Sequence, residues 1–332
     1  DCRQQNAAGI VASASVTSTT ADPNPAPNNS ASVAIQVSNP PPVITANGPL
    51  DTSVECATPY TDAGATAADM CQGAVPVNTS STVDVSRVGN DAVTYTAADA
   101  AGGQATPVVR SVHVVDTTAP VVTVLGPNPA TAECATPFVD PGATASDSCV
   151  GSVAVIASGA VNTGTPGSYA VNYSATDPSG NTGVASRMVT VNDTIPPSMT
   201  VVAPIVLAPP NHKYQAFAIA DLVSAVSDSC SGGLGIADVV ITQITSDEPE
   251  DGIGDGNTLN DMVIGSDCRS AQLRVERSGV GNGRVYTISL HVTDLAGNRT
   301  DAAVKVLVPT STCTDNTAVD DGPHFTVPST CP

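Results

Sequence analysis

The sequence predicts an all-β chain of small tandem sandwiches, and three observations carry that reading. First, residues 43–116 and 121–193 are two copies of one unit. Glu55-Cys56-Ala57-Thr58-Pro59 recurs as Glu133-Cys134-Ala135-Thr136-Pro137, and Asp62-Ala63-Gly64-Ala65-Thr66 as Asp140-Pro141-Gly142-Ala143-Thr144. Cys56 and Cys134 lie 78 positions apart (134 − 56 = 78), as do Cys71 and Cys149 and Asp99 and Asp177, while Arg110 and Arg187 differ by 77. A period of this size with a single loop deletion means stacked small domains. Second, apolar residues alternate with period two. Tyr169, Val171, Tyr173 and Ala175 take one face of a strand; Ala170, Asn172, Ser174 and Thr176 take the other, as in a half-buried antiparallel strand. Between 40 and 200 no i, i+3, i+4 apolar pattern is sustained, and Gly, Pro and Asn interrupt every few residues. Third, the chain is 41% hydrophobic but only 3% aromatic, with no Trp. Its cores are therefore Val, Ala, Ile and Leu, which suits thin sandwiches rather than a large enzyme core.

Taken in order, residues 1–39 read as a partial domain, a hairpin. Val11–Val16 and Ser32–Val37 alternate around the breaker Asp22-Pro23-Asn24-Pro25-Ala26-Pro27-Asn28-Asn29. Two strands alone leave unpaired edges that demand a partner. Asn39-Pro40-Pro41-Pro42 is a stiff linker. The first repeat occupies 40–118, with strands expected at 43–46, 74–80, 92–98 and 108–115, and the second occupies 119–195. A third, larger unit spans 196–309. Its Ser227-Asp228-Ser229-Cys230 echoes Ser146-Asp147-Ser148-Cys149, and its Thr293-Asp294-Leu295-Ala296-Gly297-Asn298 echoes Thr176-Asp177-Pro178-Ser179-Gly180-Asn181. These markers lie 64 residues apart against 28 above (64 − 28 = 36), so 36 residues are inserted. The tail, 310–332, is polar apart from His324-Phe325-Thr326-Val327 and reads as an arm. It is expected to add β-structure to the 11–37 hairpin of a second copy, head to tail.

Thirty-one acidic against 11 basic residues leave a formal charge of −20. That excludes nucleic acid, whose phosphates need Lys and Arg, and disfavours anionic membranes. No apolar run reaches the length of a membrane span and no secretory signal opens the chain, so it is expected to be a processed or truncated extracellular product. The nine cysteines form no C-x-x-C. Eight fall into local pairs, Cys56 with Cys71, Cys134 with Cys149, Cys230 with Cys268 and Cys313 with Cys331, as in a disulfide framework. The first two would each close a loop of about 15 residues, stabilising by roughly 3 kcal/mol. Cys2 is left over, with Cys331 or Cys313 of another copy as partners in trans.

Several of these motifs resemble known families. D-P-N-P-A-x-N-N within 1–39 resembles the end of a bacterial surface-protein Ig-like repeat. Over 40–195, P-x-V-T, E-C-x-x-P-(Y/F)-x-D-x-G-A-T-A, the second cysteine and the closing D-T-x-x-P resemble the bacterial Ig-like and hyalin-type repeats of secreted surface proteins. Pro209-Pro210-Asn211-His212-Lys213, the Ser246-Asp247-Glu248-Pro249 run and Glu276-Arg277-Ser278-Gly279 to Thr287 resemble a larger Ig-like module common in secreted bacterial multidomain proteins. Here Ala208 and Met262 replace its usual aromatics. The resemblance implies tandem Ig-like β-sandwich domains in an extended string, secreted or at the cell surface.

Two sets of residues point to calcium. The insertion gathers Asp247, Glu248, Asp251, Asp255, Asn257 and Asp261 without Lys or Arg around a Gly-rich turn, and calcium takes hard oxygens on such loops. The register is not that of an EF-hand, since position 12 from Asp251 is Met262. The second set recurs: Asp69, Asp99 and Asp116 in one repeat, Asp147, Asp177 and Asp193 in the next. Asp99, Asp116, Asp177 and Asp193 are the expected ligands, by similarity to calcium-braced linkers of cadherin-like rods; turn chemistry is the alternative. Arg274, Arg277 and Arg284 against Glu276 read as cross-strand ion pairs on a sheet face, and His212 as the one histidine placed like a functional loop residue. No G-x-S-x-G or H-E-x-x-H is present. The chain is therefore expected to be non-enzymatic, a disulfide- and calcium-stiffened stalk or filament subunit. Its partners would be other copies of itself or upstream domains of the same chain. The rival reading is an adhesin for a cell-surface or matrix ligand, or the accessory region of a larger secreted enzyme.

Overall fold

The computed structural model describes residues 11–13, 32–34, 39–230, 232–251, 258–310 and 317–331. Their regular secondary structure is all strand, except for one turn of helix, α1 (Ile219–Leu222), and a 3-10 turn at Ile236–Asp238. The all-β class follows from the alternation in the sequence. At the N-terminus β1 (Val11–Ser13) and β2 (Ser32–Ala34) pair antiparallel, Ala12 opposite Val33; the rest of the expected hairpin lies outside the described residues.

The first repeat contains β3 (Val43–Ala46), β4 (Asp51–Glu55), β5 (Ala65–Asp69), β6 (Gly73–Val75), β7 (Val77–Ser81), β8 (Gly89–Ala97) and β9 (Val108–Val115). They form a sheet ordered β3-β5-β6 and another ordered β4-β9-β8-β7. All pairs are antiparallel except β4 with β9, which run parallel from Asp51↔Ser111 to Glu55↔Val115. Period-two burial places Val93, Tyr95 and Ala97 of β8 in one core with Ile44, Ala67, Val75 and Val112. Within it, Arg110 is buried and ion-paired with Asp62, and the Tyr95 hydroxyl donates to the same carboxylate at 2.7 Å. Buried charge persists only when paired in this way.

The second repeat repeats the plan with β10 (Val121–Val124), β11 (Ala130–Glu133), β12 (Ala143–Asp147), β13 (Gly151–Val153), β14 (Ile156–Ser158), β15 (Gly167–Thr176) and β16 (Thr182–Asn192). The orders are β10-β12-β13 and β11-β16-β15-β14. In β15, Val171, Tyr173 and Ala175 are buried while Ala170, Asn172 and Thr176 are exposed, the alternation the sequence predicts. Arg187 meets Asp140 at 3.0 Å, the counterpart of Arg110 and Asp62. By contact density the chain divides into two compact units. One is Asp1–Leu125 with Gly142–Ala157 and Tyr173–Ala185; the other is Gly126–Pro141 with Ser158–Asn172 and Ser186–Pro332.

The larger C-terminal domain adds β17 (Ser198–Val201), β18 (Ile205–Val206), β19 (Tyr214–Ala218), β20 (Val223–Ser227), β21 (Val240–Ser246), β22 (Met262–Ile264), β23 (Ser270–Arg274), β24 (Arg284–Thr293), β25 (Arg299–Val308) and β26 (Phe325–Pro328). Its sheets are β17-β20, β19-β23-β22 and β18-β25-β24-β21-β26. Ile241, Ile244, Leu273, Ile288 and Leu290 lie at the centre of its core. The inserted residues supply β22 and β23, and β18 runs parallel to β25 as β4 does to β9.

Two expectations are corrected. The cysteines do not pair locally as Cys56–Cys71, Cys134–Cys149, Cys230–Cys268 and Cys313–Cys331. The bonds are Cys56–Cys149, Cys134–Cys230 and Cys268–Cys331, with Cα separations of 5.4, 6.0 and 6.2 Å. The reason is polarity within the repeat. Cys56 follows β4 and donates its N–H to Val115 O at 2.7 Å, beside the chain's exit. Cys71 follows β5, whose Ala68 pairs with Val43 at the chain's start. Cysteines at opposite poles cannot meet, so the exit cysteine of one repeat bonds the leading cysteine of the next domain. Cys71 is disulfide-bonded as well, and Cys2 and Cys313 lie outside the described residues. The second correction concerns the arm. β26 pairs with β21 of its own chain, Ser246↔Phe325 to Gln243↔Pro328, rather than with the hairpin of another copy. The open edge of β21 offers the backbone partners, Cys331 is tied to Cys268, and Lys305 meets Asp320 at 2.9 Å.

Candidate metal centre

At the end of each repeat the first edge strand and the last strand run parallel, so the Glu of E-C reaches the Thr of D-T. Glu55 accepts Thr117 N–H at 2.8 Å, Thr117 Oγ1 at 2.9 Å and Thr118 Oγ1 at 3.0 Å. Glu133 accepts Thr194 N–H and Oγ1, both at 2.8 Å. In each case the backbone amide is the first reason that the carboxyl is held below its ordinary range. This contact was not anticipated from the sequence, although both halves of it recur in both repeats. It fixes the backbone just after Asp116 and Asp193.

The start of the following domain supplies two more carboxylates. Asp147 closes β12, and its Oδ1 accepts the N–H groups of Cys149 at 2.8 Å and Val150 at 3.1 Å. Asp177 opens the D-P-S-G-N loop. Its Oδ1 accepts Asn181 N–H at 2.9 Å and its Oδ2 accepts Asn181 Nδ2 at 3.0 Å. The same Asn181 amide donates to Asp116 O at 3.0 Å, and Ser179 Oγ donates to Asp116 Oδ2 at 3.2 Å. Asp116, Asp147 and Asp177, all buried, thereby bring carboxylate oxygens within 4.8 Å of one another. Asp193, Asp228 and Asp294 form the same triad within the same distance. There Cys230 N–H donates to Asp228 Oδ1 at 2.7 Å, and Asn298 Nδ2 bridges Asp294 Oδ2 at 2.9 Å and Asp193 O at 3.1 Å. The three recurrent aspartates of one repeat thus do not form a set of their own: Asp147 and Asp177 meet Asp116 of the preceding repeat, and Asp193 joins the next triad. Each triad takes its first member from one domain and the other two from the next, which is why Asp228 and Asp294 escaped the sets read from the sequence.

The electrostatics of the triads ask for a counter-charge. Burial, then the charges of Asp228 and Asp294, push the Asp193 carboxyl up. Burial also acts upward on Asp177 and Asp294, but the hydrogen bonds from Asn181 and Asn298 outweigh it and hold both below the usual range. Asp147 Oδ2 and Asp193 Oδ1 are buried without a hydrogen-bond partner among the described residues, an arrangement that costs free energy unless something else engages them. The donor set is all oxygen, its neighbouring cysteines being oxidised. That fits a hard cation of the calcium class rather than zinc.

The acidic insertion is arranged differently. Asp247, Glu248 and Asp261 are buried, Asp251 is exposed, and Asp255 and Asn257 lie outside the described residues. Arg284 Nε meets Glu248 Oε2 at 3.0 Å and Arg284 Nη1 meets Asp261 Oδ2 at 2.6 Å, while Arg274 Nε stands 3.4 Å from Asp261 and 3.8 Å from Glu276. Asp247 Oδ1 accepts Val285 N–H at 2.8 Å. Arg274 and Arg284 do form the ion pairs with Glu276 expected of them, each at 3.8 Å, but Arg284 is fully buried. Arg277 donates instead to Ser278 O and Thr310 O, at 2.9 and 3.0 Å. His212 Nδ1 lies 3.2 Å from Glu276 Oε2, so the three C-terminal motifs singled out in the sequence converge on one buried ion network.

Residues 44–114 and 122–191 each match the family model of the bacterial surface protein, Ig-like domain. No curated protein matches the sequence. Among solved structures the chain is similar to the protocadherin gamma B4 extracellular domain, with 15% identity over 84% of this chain and 51% of that one and a TM-score of 0.34. It is similar to mouse cadherin-23 EC22–24, with 13% identity over 82% of this chain and 99% of that one and a TM-score of 0.30. A lipoprotein from Bacteroides thetaiotaomicron has 18% identity over 56% of this chain and 99% of its own, with a TM-score of 0.21. The chain thus spans about half the length of the protocadherin gamma B4 domain.

Proposed function

We propose, from the premise that 44–114 and 122–191 are tandem bacterial surface-protein Ig-like domains, that this chain is a structural segment of an extracellular surface protein whose domain junctions are locked by calcium. The family match and the disulfides fit an extracellular or cell-surface setting. Among the described residues no helix is long and apolar enough to cross a membrane. The role is mechanical rather than catalytic: tandem domains suit association with neighbouring domains of the same protein or with further copies.

One observation carries the reading. The same three devices, a Glu–Thr clamp, a disulfide and an aspartate triad, recur at both junctions with the same residue types. Asp116, Asp147 and Asp177 would hold the ion at one junction and Asp193, Asp228 and Asp294 at the other. The bound divalent cation would offset two of the three negative charges of carboxylates drawn from two domains, tying those domains together. Calorimetric titration of the full oxidised chain with calcium tests this. Uptake at these junctions should fall by one ion in Asp147→Asn and by one in Asp228→Asn. Titrations unchanged by both substitutions would overturn the assignment.

A further inference from the structure

The N-terminal pole of the first repeat carries the same furniture as the two triads. Asp69 stands 78 positions before Asp147, and Asp99 stands 78 before Asp177. Asp69 closes β5 and its Oδ1 accepts Cys71 N–H at 2.7 Å and Gln72 N–H at 2.6 Å, as Asp147 does with Cys149 and Val150. Cys71 is oxidised, like Cys149 and Cys230. Asp99 Oδ1 accepts Gly103 N–H at 2.8 Å, the counterpart of Asn181 N–H on Asp177.

The difference lies in where the amide comes from. Position 103 is Gly, and a Cβ there would come within 2.6 Å of Asp99 Oδ2, so this loop has no side chain to bridge with. The linker supplies one instead. Asn39 Nδ2 donates to Asp99 Oδ2 at 2.8 Å, replacing the Asn181 contact on Asp177 Oδ2. Asn39 lies in the linker four residues before the first strand of the repeat, next to the place that Asp116 and Asp193 hold five residues before theirs. Its amide therefore serves as the bridge through nitrogen and leaves its oxygen as the third member of the set. Two atoms here are buried with no hydrogen-bond partner among the described residues, Asn39 Oδ1 and Asp69 Oδ2, and Asp69 is only 4% exposed. They correspond to the unpartnered Asp193 Oδ1 and Asp147 Oδ2 of the triads.

We infer that the N-terminal pole of the first repeat is a third divalent-cation site, formed by Asn39, Asp69 and Asp99 and weaker than the two triads because it carries one carboxylate fewer. Calcium affinity rises with the number of charged ligands, so this site loads after the two triads. The inference rests on the calcium reading of the triads.

The test uses calcium alone and the full oxidised chain. In the double variant Asp147→Asn/Asp228→Asn, one site of lower affinity should persist, and adding Asp69→Asn should abolish it. Asn39→Asp, placed in the double variant, should tighten it by about tenfold or more. A double variant that binds nothing, an Asn39→Asp change without effect, or a residual site that survives Asp69→Asn would each overturn the inference while leaving the triads standing. If the wild type binds no calcium that depends on Asp147 or Asp228, both readings fall.

Discussion

The domain junctions and the C-terminal ion network are both rich in buried carboxylates, yet they solve the burial problem in opposite ways. In the network, Glu248, Asp261 and Glu276 surround Arg284 and Arg274. The protein carries its own cations, and they are fixed on β23 and β24. At the junctions, Asp116, Asp147 and Asp177 approach one another with amide and hydroxyl donors but without an assigned guanidinium. A carboxylate cluster completed internally makes a core element; on the calcium reading proposed above, one completed by an external ion would make a conditional joint between domains. Density of acid in the sequence does not separate the two. The run 247–261 holds carboxylates that Arg284 engages, whereas successive junction aspartates lie between 30 (177 − 147) and 66 (294 − 228) residues apart.

The sharpest way to break this comparison is to remove the internal cation. Arg284→Met leaves Glu248 and Asp261 buried without their partner, and breaking such a pair costs about 3–5 kcal/mol. The calorimetric transition of the C-terminal domain should move down strongly with or without calcium. A variant as stable as the wild type would mean that the network is not the ionised cluster described.

Chelation comes next in size. Stripping calcium should lower the transitions that depend on Asp147 and Asp228 by about 2–3 kcal/mol for a ligand held at a hundred times its dissociation constant. The further loss caused by Arg284→Met should be the same in chelator as in calcium. Unchanged melting of the wild type in excess chelator would remove the joint.

A smaller effect separates the regions by pH. Burial, then hydrogen bonding with Glu276, pushes the Asp261 carboxyl up to about 7, and burial together with Glu248 pushes Asp247 up to about 6. A carboxyl raised in the folded state holds its proton more tightly there than in the unfolded chain. Stability is therefore present at the acid end and is lost as pH rises from about 4 to about 7. Asp177 and Asp294 are held low, so their contribution runs the other way and is lost on acidification. The C-terminal transition should accordingly fall between about pH 5 and 7, and Asp261→Asn should flatten the fall. A transition that rises over that interval would contradict the arrangement.

The smallest effect belongs to the clamp. Glu133→Ala removes the acceptor for Thr194 N–H and Oγ1, with Asp193 one residue away. Calcium affinity at the second triad should weaken while that of the first is unchanged. Equal weakening of both would mean that the clamp acts on the whole chain rather than on its own junction.

Strand class and repeat register were legible in the sequence because both are local or periodic. Burial of alternate residues is imposed by the two-residue period of a strand, so Val171, Tyr173 and Ala175 could be assigned inward from their spacing, and a constant offset identifies equivalent aspartates without any geometry. Asp99, Asp116, Asp177 and Asp193 stood out for that reason. What pairs with what was decided only by the tertiary structure. Cys56 and Cys71 are near in sequence but at opposite poles of a sandwich, so proximity along the chain pointed to the wrong bonds. Asp116 meets Asp147 and Asp177 because the exit of one domain abuts the start of the next. The sheet edge that receives Phe325–Pro328 is likewise a product of strand order, which hydrophobic periodicity does not encode. Periodicity reports which face of a strand is buried; only folding brings distant poles, edges and charges together.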